Sequence, residues 1–174
     1  MARLPIVIAP APVLKAKAKP VEIIDGGTRR LLDDMLETMY EAPGIGLSAN
    51  QVGVLQRVIV LDVARADEKP HPFKMVNPEV LWRSEELSTY NEGCLSLPEQ
   101  YADITRPARI KFRFLDENGH RHEREAEGLL ATCVQHEIDH LDGILFIDHL
   151  SALKRNMIMR KLAKAQKAKA ESAM

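Results

Sequence analysis

Gly128-Leu-Leu-Ala-Thr-Cys-Val-Gln-His-Glu-Ile-Asp-His-Leu141 is the stretch on which the reading of this chain turns. It opens on glycine, is largely apolar, and is closed by Asp142-Gly143, where glycine suits the position just past a helix end. It predicts a helix over Leu129–Leu141 within the body of the protein. His136 and His140 stand four residues apart, one above the other on a helix face, so both rings can reach a single ion. Glu137 lies beside them, placed to take a proton from water at that ion instead of binding it. Idle polar groups are costly in such an apolar helix, which favours ligation over two unused imidazoles.

Outward from this helix, Ala108–Leu115 alternates with Ile110, Phe112 and Phe114 on one face, Asn118-Gly119 supplies a hairpin turn, and His120–Glu127 returns as a polar-faced partner. Arg57–Val63 is a β-branched run, and Phe73–Trp82 reads as a strand interrupted near Pro78. Between Thr28 and Tyr40, Leu31, Leu32, Met35, Leu36 and Met39 recur at helical spacing, with Thr28 as candidate N-cap. Pro43-Gly44 ends that helix and opens a glycine-bearing loop through Gln51. The first twenty residues read as an extended arm, Ala64–His71 as an exposed loop, and Ile144–Asp148 as a short strand. Ser151 can cap a last helix with a narrow stripe of Leu153, Met157, Ile158 and Leu162. Strands first and a core helix late indicate an α+β fold: mixed or antiparallel sheets packed around the central helix, with a C-terminal helix. The 174 residues suit one domain, 1–174, in which 151–174 form the basic C-terminal helix.

The formal net charge of −1 hides an asymmetry. From Ser151 onward seven Lys and Arg face one acid, Glu171, so the tail carries about +6 and the body about −7. Cys94 and Cys133 are too few for a disulfide scaffold and read as thiols of a reducing cytoplasm. Pro5, Pro10 and Pro12 break the apolar start well short of a signal segment, and no apolar run is long enough to cross a membrane.

A catalytic site of the zinc type needs three protein ligands and an open position. The metalloprotease pattern that adds a histidine downstream is met as far as Gly143, but Phe146 occupies the ligand position. The one glutamate after His140 is Glu171, inside the basic tail, and Asp142 and Asp148 lie too close for a second helix. The search therefore moves upstream. Cys133 is one turn before His136, yet residues 133 to 140 span about 10 Å of helix axis. So short a side chain falls short of the ion and reads as packing or pocket lining. Cys94, in Asn91-Glu-Gly-Cys-Leu-Ser-Leu-Pro98, has a glycine and a proline nearby that let the backbone approach a site and expose the thiolate. It is the better candidate, with His71, His120, His122 and His149 remaining as loop or strand alternatives.

Three segments, Gly44-Ile-Gly-Leu-Ser-Ala-Asn-Gln51, Glu92-Gly-Cys-Leu-Ser96 and Gln135-His-Glu-Ile-Asp-His140, resemble the three motifs of bacterial peptide deformylases, in order and at similar spacing. The resemblance spans nearly the whole chain. It implies removal of the formyl group from N-terminal formyl-methionine of new polypeptides. It implies one divalent ion on Cys94, His136 and His140 with water as fourth ligand: Fe2+ as the usual ion, with Zn2+, Ni2+ or Co2+ able to replace it. Glu137 would be the general base, Gln51 and the Leu95 backbone N–H the donors to the developing oxyanion. Gly46 would admit the substrate backbone, and Ile45, Tyr90, Leu129 and Cys133 would form the methionine slot. Ser48 stands where the family usually has alanine, and Tyr101 where several relatives carry an arginine near the substrate path. Tyr90 and Thr132 replace more aliphatic residues.

Two other readings compete. A metallopeptidase cleaving internal peptide bonds is disfavoured by the lack of a downstream third ligand. A nucleic-acid or ribosome-binding module is suggested by the basic tail, which in similar deformylases contacts the ribosome near the nascent-chain exit. A charged, alanine-rich helix is also a common solvated face. Formyl-methionyl nascent peptides, and the ribosome through the tail, are the expected partners of a monomeric, cytoplasmic enzyme with no membrane contact.

Overall fold

A computed structural model describes residues 2–173. In chain order it contains α1 (Gly26–Glu41), β1 (Gly46–Ser48), β2 (Val58–Leu61), β3 (Phe73–Arg83), β4 (Leu87–Cys94), β5 (Leu97–Pro107), β6 (Arg109–Leu115), β7 (Arg121–Glu127), α2 (Gly128–Leu141) and α3 (Ala152–Ser172). Five strands form one sheet in the order β1-β2-β3-β6-β7, and β4 pairs with β5 in a second. Every strand pairing is antiparallel. The α+β architecture expected from the element order is present.

Period-two alternation explains how both faces of the large sheet are covered. In β2, Ile59 and Leu61 face α2, joining Met75, Ile110, Phe112, Val134, Ile138 and Leu141 in one cluster. Val58 and Val60 point the other way, against Leu32, Met35 and Met39 of α1. All four residues of β2 are therefore buried. Each such aliphatic side chain contributes about 1.5–3 kcal/mol of apolar burial, enough to lock α2 and its histidines onto the sheet. A third cluster gathers Leu97, Ile104, Phe146 and Leu162, so the last helix docks through Leu162 while Leu153 and Met157 of its stripe stay exposed.

Several local expectations are corrected. Thr28 is not the N-cap of α1: Asp25 holds that position, accepting the Thr28 backbone N–H at 3.0 Å, while Thr28 sits three residues inside. The segment Gly44–Gln51 is not simply a loop, because Gly46–Ser48 pairs with Leu61–Ile59 and Ala49–Val52 makes a 3-10 turn. That partner strand is invisible to local patterning. Ile144–Asp148 is not a strand: Phe146–His149 form a 3-10 turn, and the Asp148 carboxylate accepts the Leu145 N–H at 2.9 Å. Local patterning does not reveal the hairpin β4-β5, since Gly93, Pro98 and scattered charges mask its alternation. Gly143 closes α2 as expected, with φ of +76°. The arm also passes so close that a β-carbon there would collide with the Lys15 carbonyl. Among the described residues no helix is long and apolar enough to cross a membrane.

Candidate metal centre

Elements far apart in sequence meet at one point. The register of β4 and β5 shifts between Gly93 and Cys94, which turns the end of β4 and its thiol toward α2. There Cys94 Sγ lies 3.4 Å from His140 Nε2, and His140 Nε2 lies 3.2 Å from His136 Nε2. The three donor atoms fall within 4.8 Å of one another, and they are the one such cluster found among the described residues. A tetrahedral ion with ordinary Zn–S and Zn–N bond lengths would have S–N and N–N edges of about 3.6 and 3.3 Å, close to both spacings. The donor set therefore fits a divalent ion of borderline softness.

Nδ1 of His136 donates to Glu92 Oε1 at 2.9 Å, which turns its Nε2 toward the other two donors. Burial opposes charge on this ring, but hydrogen bonds to Cys94 and Glu92 and the nearby Glu137 outweigh it and hold His136 well above the usual histidine range, so a bound ion would take the place of its Nε2 proton. Burial, followed by the neighbouring His136, holds His140 well below the usual histidine range, which keeps it a neutral imidazole. Glu137 is buried at the cleft wall, and burial pushes its carboxyl up to about 7 against the opposing pull of His136. Its Oε1 has no hydrogen-bond partner among the protein groups.

Around this point is a cleft of about 670 Å³. Its wall includes ten of the eleven residues singled out from sequence: Ile45, Gly46, Gln51, Tyr90, Cys94, Leu95, Leu129, Cys133, His136 and Glu137. The eleventh, His140, sits behind the wall with no exposed surface. Gln51 is oriented by its surroundings: Oε1 accepts the Ser48 backbone N–H at 3.0 Å, which leaves Nε2 to face Cys94 Sγ at 3.4 Å and Ser96 Oγ at 3.1 Å. The unusual Ser48 adds its hydroxyl 3.3 Å from the same Oε1. Cys133 is set apart from the donors, with Sγ 3.7 Å from the Ile45 carbonyl. Leu129 is 42% exposed, which makes it cleft rim and not core. Tyr101 also lines the cleft, its ring standing over Gly93.

The family model for polypeptide deformylase matches residues 3–156. The chain belongs to the polypeptide deformylase family. A peptide deformylase of Rhizorhabdus wittichii is 59% identical over 169 residues, covering 94% of this chain and 96% of that protein. The crystal structure of peptide deformylase from Ehrlichia chaffeensis in complex with actinonin superposes with a TM-score of 0.91 at 41% identity, covering 95% and 98% of the two chains. A peptide deformylase from Legionella pneumophila gives 0.90 at 41% identity, with 97% and 98% covered. The chain is thus a metal-dependent enzyme that removes the formyl group from the N-terminal methionine of polypeptides. An internal peptidase finds no support among these relatives.

What the sequence reading missed surrounds the cluster. Glu92, quoted within a motif but given no role, is buried and bridges His136 to Arg106, which grips it through Nε at 2.7 Å and Nη2 at 2.9 Å. Arg106 Nη1 continues to Asp139 Oδ2 at 2.8 Å. Burial works against charge on Glu92 and Asp139. Hydrogen bonds from His136 and Arg106 outweigh it at Glu92, as those from His149 and Arg106 do at Asp139, so both carboxyls stay below their ordinary range. The signal available was slight: an arginine in a segment with no clear strand alternation and an aspartate inside the histidine motif. The alternative ligand His122 is instead engaged by Asp116 at 2.7 Å, and His149 by Asp139 at 2.8 Å.

Proposed function

We propose that Cys94, His136 and His140 hold one divalent ion, Fe2+ in the cell, and that Glu137 moves the protons of formyl hydrolysis. The convergence of these three donor atoms beneath a cleft that also presents Glu137 and Gln51 carries the reading. An ion held there would lower the pKa of a bound water and polarise the formyl oxygen. Glu137 accepts the proton as the water oxygen bonds to the formyl carbon. Gln51 Nε2 and the Leu95 backbone N–H donate to the negative charge that develops on the formyl oxygen. Glu137 then hands its proton to the departing amine nitrogen, the C–N bond breaks, and formate leaves.

Ile45, Tyr90, Leu129 and Cys133 form the apolar slot for the methionine side chain. β1 is an edge strand of its sheet and lines the cleft, so an extended substrate can pair along it past Gly46. Tyr101, exposed at the rim, meets the chain beyond the methionine. The whole chain, 1–174, works as one domain and as a monomer in the cytoplasm, a setting consistent with two free thiols. The basic face of α3, docked only through its buried edge, suits a salt-sensitive contact with ribosomal RNA.

The test is anaerobic formate release from a short formyl-methionyl peptide. Cys94→Ala and Glu137→Ala should both be nearly inactive, with Glu137→Ala still binding the ion. Full activity and full ion content in Cys94→Ala would overturn the ligand assignment.

A further inference from the structure

The turn Phe146–His149 comes directly after the histidine helix and touches it twice. The ring of Phe146 stacks on His136 with centroids 6.2 Å apart, and Nε2 of His149 lies 2.8 Å from Oδ2 of Asp139. The same carboxylate oxygen accepts Nη1 of Arg106, also at 2.8 Å. Arg106 in turn holds Glu92 by two bonds, and Glu92 Oε1 takes the Nδ1–H of His136. A continuous polar chain thus runs from a half-exposed imidazole, through Asp139, Arg106 and Glu92, to a buried ring aimed at the ion site. Exposure falls along it: the side chains of His149 and Asp139 are 37% and 22% exposed, those of Arg106 and Glu92 each 5%.

We propose that His149 is a positioning residue for the ion site, acting through Asp139 and Arg106 to fix the Glu92–His136 hydrogen bond. The proposal rests on the reading of Cys94, His136 and His140 as ion holders. Arg106 has five N–H donors on a rigid planar fork. Two nitrogens are committed to Glu92, and the third is anchored by Asp139 alone. Asp139 is the partly wet link of the chain. With His149 in place its carboxylate is tied from two sides; without it, water competes for the oxygen and the fork can rock. Rocking lengthens the grip on Glu92, and with it the bond that sets the tautomer and tilt of His136. His149 touches neither the ion position nor the cleft wall, so its effect is on holding the ion and not on binding the peptide.

The experiment loads the full-length enzyme with cobalt(II) and tracks decay of the cobalt–thiolate absorption after addition of excess EDTA. Partners of metal-ligating histidines are typically worth 10–100-fold in affinity; three contacts beyond such a partner, His149→Ala should release cobalt roughly fivefold faster, with KM for a formyl-methionyl peptide unchanged. His149→Gln, whose amide nitrogen can still donate to Asp139, should restore slow release. Wild-type release from His149→Ala, or no recovery in His149→Gln, overturns the positioning role even if thermal stability has changed. The control separates this from the underlying reading. If Cys94→Ala keeps the thiolate absorption, the ion-holder assignment falls and takes the proposal with it. If Cys94→Ala loses the absorption while His149→Ala behaves as wild type, only the positioning role falls.

Discussion

Gly46 and Glu137, ninety-one positions apart, approach so closely that a β-carbon on the glycine would stand 2.5 Å from the carboxylate Oε2 and 3.0 Å from Cys133 Sγ. The edge strand β1 and the histidine helix α2 are packed with no room for a side chain between them. Gly46→Ala should therefore keep the fold but displace the carboxylate, and a misplacement near 1 Å costs about 100-fold in rate. A fall of that size in kcat/KM for a formyl-methionyl peptide, with little change in melting temperature, is the expected outcome. Near-normal activity would mean the strand gives way freely.

Glu137 also leaves a signature in the ion-free protein. Its carboxyl is raised from 4.5 to about 7 by burial. A pKa raised on folding contributes stability that is full below the unfolded value and is lost as pH rises through the folded one. Glutamine, always neutral, loses nothing over that range. Urea unfolding of the ion-free proteins should find Glu137→Gln and wild type similar near pH 4. The variant should gain about 2–3 kcal/mol on wild type by pH 8. An unchanging difference across that range would place the carboxyl in water and contradict its burial.

Arg106 neutralises two carboxylates at once. Removing it strands the buried Glu92, and breaking a buried pair in this way costs about 3–5 kcal/mol. Arg106→Ala should destabilise by that order in denaturant unfolding and weaken ion binding about tenfold. Because Glu92 and Asp139 are held below their ordinary values, their stabilisation is present above the unfolded pKa near 4 and lost as pH falls through the folded one. The acid-unfolding midpoint of Arg106→Ala should accordingly move to higher pH.

The C-terminal helix can be tested by truncation, but the cut matters. Leu162 is 1% exposed and packs in the cluster with Leu97 and Phe146, so a chain ending at Lys161 would lose a core residue. A chain ending at Ala163 keeps Leu162 and removes Lys164, Lys167 and Lys169. Hydrolysis of small formyl peptides should persist, while ribosome binding should weaken and its dependence on salt should flatten. Unchanged binding at low salt would assign the tail to solvation alone.

The histidine helix, its glutamate, its closing glycine and the β6-β7 hairpin were legible from residue order, because helix and strand periodicities and turn residues are local properties. So was the exclusion of a downstream ligand, which needed only the identities of the residues after His140. The motif resemblance brought Cys94, Gln51 and Leu95 into the same picture. Tertiary structure alone decided what meets what. β1 exists because Leu61 lies opposite Gly46, and β4 and β5 because two strands with broken alternation pair with each other. Glu92, Arg106, Asp139 and His149 become one chain of contacts only when β4, β5, α2 and the turn after it converge. Each is ordinary in its own segment, since a charge reports its role through its partner, and the partners are brought near by packing of the apolar faces elsewhere.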